Sequence, residues 1–239
     1  RALPALEAPQ ARQTLQMSDP SLDLKRNLVQ GSDDVIIRYA SDAPTGSSLK
    51  LATLPAFTAE GFGLTDVRVA TGRIPSPPGL SGGGTQRQTR VEVGDFASEW
   101  LPVPYAPARV RAPGDWGFAL DTLDVMALAG PDRGNATRGI SYEVTSVDVR
   151  PGADEIARAD ATRVEDPELH LALPAEVPQR IRRLALDITA DAPTAGAKAQ
   201  AIEQYLTSGQ FTYSTARSVG IGDGIATIGP VPQGLPSFR

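Results

Sequence analysis

The chain has 239 residues, no cysteine, one histidine, and 23 basic against 28 acidic side chains, a formal net charge of -5. This rules out disulfides and thiolate metal sites, and without a basic excess the chain offers no dominant nucleic-acid footprint. Hydrophobic residues make up 41% of the chain, enough for a sizeable core, but no run of about 18 apolar residues marks a membrane-spanning helix, and the opening RALPALEAPQ lacks the blocks of a signal peptide.

Residues 1–19 are polar, with Pro and Gln and no sustained period, and are expected to form a linker. From Leu22 short alternating runs predict strands: Leu22 and Leu24; Val35, Ile37 and Tyr39; Leu49, Leu51 and Thr53; Val67 and Val69; Val91 and Val93; and Val125 to Leu128. Turn signals at Gly31–Asp33, Asp42–Gly46, Pro113–Asp115 and Gly130–Asn135 separate several of them. Short strands with such punctuation predict an antiparallel β-sandwich or open barrel over residues 20–150. Thr71–Gln88 is rich in Gly, Pro and Ser and reads as a long mobile loop. In Gly139–Arg150 the alternation changes phase after Val144, which predicts a bulge near Thr145 or Ser146.

After Asp154 the period becomes helical. A short run covers Glu155 to Ala157, and Val177, Ile181, Leu184, Ala185 and Ile188 form a stripe with Pro178 in the first turn. Asp191-Ala192-Pro193 ends that helix. In the next one Ala195, Ala199, Ile202 and Leu206 share a face, Thr194 can cap the start and Gly209 the end. That stripe is expected to be buried against Ile181, Leu184 and Ile188 or against a second copy of the chain, which makes a homodimer a candidate assembly. Phe211, Thr212 and Tyr213 suggest an extended exit. The fold class is therefore α+β: a β-rich domain over 20–150, a two- or three-helix arm over 151–214, and an irregular tail over 215–239.

The residues offer little chemistry. Asp33-Asp34, and Asp121 with Asp124, have neither the alternating ligands of a calcium loop nor a spacing that could identify glycosidase acids, so they read as solvated turns. His170, between Leu169 and Leu171, has no second histidine to share a metal and reads as a surface or hydrogen-bonded structural residue. Gly82-Gly83-Gly84 lacks the Lys-Ser or Lys-Thr ending of a phosphate loop, and Asn135-Ala136-Thr137 is a glycosylation tripeptide of a kind common by chance. Trp100, Tyr105 and Trp116, around LPVPYAP at 101–107, could line a ligand groove, although core or rim packing is the favoured reading. No catalytic residue, metal or cofactor is predicted.

The segment TAGAKAQAIEQYLTSGQFTYS at 194–214 resembles the lead-in to the catalytic core of actinobacterial, membrane-anchored transglutaminase-like proteins, through Lys198-Ala199, Ala201-Ile202-Glu203, Tyr205-Leu206 and Phe211–Ser214. LPVPYAP, the Tyr142, Val144 and Ser146 pattern, LALP at 171–174 and Leu49–Leu54 followed by Phe57 and Gly61 look like the extracytoplasmic domain preceding that core. The resemblance implies a papain-like Cys-His-Asp mechanism in the parent, acting as an acyltransferase or cysteine protease. None of that triad can be placed here: cysteine is absent, and His170 lies before the position where the cysteine would come. The chain is thus expected to be an inactive fragment ending before the catalytic cysteine, on the extracytoplasmic face of the membrane, with residues 1–19 leading from a membrane segment outside the chain. Its β domain would position the core and a polypeptide substrate. The alternative is a stand-alone binding module for cell-wall glycan or peptide, built on the aromatic-Pro run.

Overall fold

A computed structural model describes residues 11–15, 35–44, 46–58, 61–77, 84–128, 130, 132–160 and 170–210. The chain divides into two units, residues 1–54 with 64–149, and residues 55–63 with 150–239. In chain order the strands are β1 (Ala11–Leu15), β2 (Ile37–Ser41), β3 (Leu49–Lys50), β4 (Ala56–Thr58), β5 (Gly61–Gly63), β6 (Val67–Ala70) and β7 (Thr85–Val93). They continue with β8 (Trp100–Leu101), β9 (Val103–Pro104), β10 (Pro107–Arg111), β11 (Trp116–Ala119), β12 (Val125–Ala127) and β13 (Ser141–Asp148). Only β4 and β5 belong to the second unit. The class is α+β, with antiparallel sheets and a few helices.

The first unit is a sandwich of a five-stranded sheet, β1-β6-β11-β12-β8, and a four-stranded sheet, β10-β13-β7-β2. Side chains alternate across a strand, so each register fixes which residues meet. Ala70, Leu101, Phe118 and Val125 of the first sheet share a core with Val91, Val93, Tyr142 and Val144 of the second. The opposite face of the five-stranded sheet is buried too: Val69, Trp100, Ala119 and Met126 lie under Leu51, Ala52, Leu64 and Leu128. The four-stranded sheet turns Arg90, Glu92 and Glu143 outward, which produces the alternation legible in β7 and β13.

Three expectations change. The bulge is not in β13, which pairs without interruption from Ser141 to Asp148 with β7. It lies in the partner strand β10, where the register slips between Pro107 and Arg109 opposite Ser146 and Thr145. Buried Ser146 keeps the parity of Tyr142 and Val144, and Val147 stays on the other face. Thr71–Gln88 is not one loop: β7 begins at Thr85, and Ile74 is buried in the main core. Gly84 enters that strand so close to Val147 and the Asp148 carbonyl that an added Cβ would clash with the Val147 side chain. Finally, Ala11–Leu15, expected within a linker, forms a strand antiparallel to β6. The runs at Leu22 and Leu24 and at Phe211 to Tyr213, with the 215–239 tail, lie outside the described residues.

In the second unit β4 and β5 form a hairpin with the Phe57 and Phe62 rings 4.7 Å apart. Helices follow at α1 (Ala153–Arg158), α2 (Gln179–Ile188) and α3 (Ala195–Thr207). Pro178 is the N-cap of α2, just outside the first turn, and Ile181, Leu184 and Ile188 are half-buried. Thr194 caps α3 by accepting from the Ala197 N–H at 3.0 Å, and Gly209 ends it with φ +83°. The face that α3 buries is not the predicted one. Gly196 is buried, with Ala197, Ala201 and Tyr205 half-buried, while Ala195, Ala199, Ile202 and Leu206 face solvent. Gly196 decides this, because its bare Cα lets α3 approach the end of α1 backbone to backbone: its N–H donates to the Ala159 carbonyl at 2.9 Å, and a Cβ would overlap the Ile156 carbonyl. Thr194 Oγ1 donating to the Ala157 carbonyl at 2.5 Å, and Gln200 Nε2 to that of Ala153 at 2.8 Å, hold the same rotation.

Candidate functional site

The segment 100–108 passes from core to surface within nine residues. Trp100, opposite Met126 in β12, is 2% exposed. Trp116 is opposite Ala127, the next residue of β12, so the two indoles point to opposite faces of one sheet. Trp116 packs beside the main core and its Nε1 donates to the Pro113 carbonyl at 2.7 Å. Tyr105 is 49% exposed, with the Lys50 ammonium 5.1 Å from its ring centroid. The structure therefore brings Tyr105 to the surface but gathers the three aromatics into no common wall.

Behind Tyr105 is a polar cluster that sequence spacing did not reveal. Pairing of β3 with β9 places Lys50 opposite Val103. Its Nζ reaches Asp124 Oδ1 at 2.8 Å and donates to the Thr122 carbonyl at 2.7 Å. Asp124, 2% exposed, also accepts from the Thr53 N–H at 2.8 Å, the Thr53 hydroxyl at 3.1 Å and the Thr122 hydroxyl at 2.6 Å. This corrects the reading of Asp124 as a solvated turn residue: a carboxylate can be buried when a cation and several donors surround it. Asp121 does lie in an exposed pair, with Arg68 at 2.5 Å. Leu123 between them has φ +59°, and its side chain is buried. Asp33 and Asp34 lie outside the described residues.

On the other side of the same segment, Pro107 borders an open cleft of about 550 Å³ whose walls include Arg73, Ser76, Gln86, Pro75 and Pro77. A cation, a hydroxyl and an amide set among prolines suit an extended ligand with carbonyl, hydroxyl or carboxylate groups. Among the described residues its walls contain no carboxylate or imidazole that could serve Ser76 as a base.

The remaining candidates have structural partners. Thr137 of the Asn-Ala-Thr tripeptide is fully buried, its hydroxyl donating to the Phe96 carbonyl at 2.8 Å, and the Asn135 amide bonds Asp132. Next to it Glu99, 5% exposed, accepts from Arg133 Nε at 2.9 Å and Nη2 at 2.6 Å. Burial pushes the Tyr142 phenol above its ordinary range, and its hydroxyl donates to the Pro102 carbonyl. Across the exposed face of β7 and β13 the Arg90 guanidinium, 2.8 Å from Glu143, holds that carboxyl below its usual range. His170 is exposed in the second unit. Among the described residues no group of three His, Cys, Asp or Glu is placed to hold a metal, and no helix is long and apolar enough to cross a membrane.

No curated protein matches the sequence. The fold is similar to the crystal structure of the periplasmic domain of TgpA from Pseudomonas aeruginosa, with a TM-score of 0.52 and 13% identity over 80% of this chain. The chain spans 62% of the length of that structure. At that identity the likeness concerns the fold. The family model described as the TgpA N-terminal domain matches residues 2–153, more than half of the chain and nearly all of the sandwich. The chain belongs to the TgpA N-terminal domain family.

Proposed function

We propose that the chain is a non-catalytic extracytoplasmic region of a membrane-anchored, actinobacterial transglutaminase-like protein, in which the sandwich positions a thiol-dependent core and its polypeptide substrate. The observation that carries this reading is the family match over residues 2–153. Three others support it. The structurally similar domain of TgpA is a periplasmic one, the helical segment resembles the lead-in to a transglutaminase-like core, and a chain without cysteine cannot itself supply a thiolate. The membrane anchor and the Cys-His-Asp set belong, in this reading, to sequence outside the chain. The test uses that parent protein. Removing residues 20–150 should raise KM for a glutamine-bearing polypeptide several-fold and leave kcat on a small amide unchanged. Equal loss on both substrates, or loss on neither, overturns the positioning role.

The exposed Tyr105 and the cleft beside Pro107 favour a second reading, a module that binds cell-wall glycan or peptide. Titration of the chain with wall fragments distinguishes it. Saturable binding that is weakened by Tyr105→Ala or Arg73→Ala, with the melting temperature retained, supports the module. Trp100→Ala is no test of binding, because that indole is core.

A further inference from the structure

The four-stranded sheet ends on β10 at one edge and on β2 at the other. The Val147 and Ala106 N–H groups donate to each other's carbonyls. Because β13 is uninterrupted, the alternation of an antiparallel ladder gives its next bonds toward β10 to Thr145 and Glu143, whose partners are Arg109 and Arg111. The N–H and C=O of Val110, between those two arginines, therefore point away from the sheet, and among the described residues no backbone bond reaches them. On the outer face Arg90, Glu143 and Arg111 lie in one cross-strand row, and Gln88, Thr145 and Arg109 in the next. The first row alternates in sign and stops on a cation at the edge, since the Glu143 carboxylate is bonded to Arg90 at 2.8 Å. The second contributes no anion. Arg109 and Arg111 are exposed, and among the described residues neither forms an ion pair. We propose that the β10 edge takes an extended acidic polypeptide segment as a further strand, its backbone bonded to Val110 and carboxylates at alternate positions beside Arg109 and Arg111.

Charge and backbone together select this occupant. An added strand sets its side chains directly beside those of β10, where opposite charges attract and like charges repel. A second copy pairing edge to edge would bring arginine against arginine, so these side chains guard the edge against self-association. The same guard, being of one sign, favours an acidic strand. Alternate residues of an extended chain are about 7 Å apart and share a face, so carboxylates two positions apart match the spacing of Arg109 and Arg111. An anionic lipid surface or a phosphate polymer supplies the charge but no amide ladder for Val110. The β2 edge lacks this pattern, because Arg38 already lies opposite Glu92 and neutral Ala40 ends the Arg90 row. The inference uses neither Tyr105 nor the cleft beside Pro107, and it stands whether or not the transglutaminase reading does.

Nuclear magnetic resonance titration of the full chain with a short peptide of alternating glutamate and valine tests it. Saturable shifts should centre on 109–111, and the Val110 amide should exchange more slowly once the peptide is bound. Arg109→Ala and Arg111→Ala should each weaken binding about two- to fivefold, as expected for a cross-strand pair of opposite charge, with the melting temperature retained. Arg38→Ala, on the same face at the far edge, should change nothing. Two changes to the peptide need no variant of the protein. Glutamine in place of glutamate should weaken binding as the arginine variants do, and methylating the peptide amides that face β10 should abolish it while methylating the alternate ones should not. The proposal is overturned by absent binding, by a Val110 amide indifferent to the peptide, or by equal loss with Arg38→Ala. Equal affinity for polyphosphate or for phosphatidylglycerol vesicles overturns it too, since that would make the face a site for anions of any kind.

Discussion

At Asp124 a single carboxylate joins segment 50–53 to the β11–β12 turn, and the surroundings set the consequence of removing it. Asp124→Ala leaves the Lys50 ammonium without its counter-ion and both threonine hydroxyls without their acceptor. Unpairing a buried charge costs about 3 kcal/mol or more, which urea denaturation should register as a lower midpoint at constant slope; a loss within a few tenths would mean that water fills the role. Tyr142 makes the opposite pH argument to Glu143. Its folded pKa is raised above the ordinary 10.0, so its contribution is fully present below pH 10 and declines as pH rises toward the folded value. Alkaline titration should show this phenol ionising only with unfolding, and Tyr142→Phe should flatten the alkaline slope. Glu143, with a depressed pKa, contributes above its unfolded pKa and loses that contribution as pH falls through the folded one. Its exposure keeps the effect small, and Glu143→Gln should remove it from the acid limb. None of these roles was legible from spacing: Asp124 meets Lys50 and Thr53 across more than 70 positions, and only the fold closes that distance.

Among the elements, helix ends were far more legible than helix faces. Thr194 and Gly209 act on neighbouring backbone groups, so their roles follow from local chemistry. The face of α3 was decided by a contact with α1 some 37 positions away. One local signal pointed to it, the glycine inside the helix, which commonly marks a close approach. Gly196→Ala is therefore expected to destabilise the packing of α1 on α3 by about 1–3 kcal/mol, despite alanine's better helix propensity. Faster amide exchange in α1 and α3, with the sandwich unaffected, is the measurement; an unchanged or stabilised variant would show that α1 can shift aside. In the sheets, β7 and β13 were readable where one face meets solvent. Thr85–Gln88 was missed because polar residues in a Gly-rich context look like a loop, although β13 pairs with them throughout.

On the scale of the whole molecule the two units bury very different interiors. The sandwich closes two apolar clusters around its five-stranded sheet, whereas Val177 is the buried apolar side chain of the second unit among the described residues, with Leu186 at 71% exposure on α2. Burial supplies most of the stabilisation, so helix content should be lost before the sandwich melts, and far-ultraviolet dichroism should show an earlier transition than tryptophan fluorescence. Coincident curves would mean that the units unfold together. Trypsin offers a related check. Arg87 lies within β7, paired with Asp148 and bonded to the Asp42 carbonyl, so it should resist cleavage under native conditions while exposed Arg73 is cut.

The burial of the five-stranded sheet on both faces also bears on how relatives of this domain can diverge. A position in β11 or β12 has no side on which to drift freely, since Phe118 and Val125 answer to one core and Ala119 and Met126 to the other. In β7 and β13 every second position is open to change. Successive substitutions would therefore collect on the outer skin of the four-stranded layer, around Glu92 and Ser141, and erase alternation there first. The unbroken apolar words of the inner sheet would be the last inherited trace to fade.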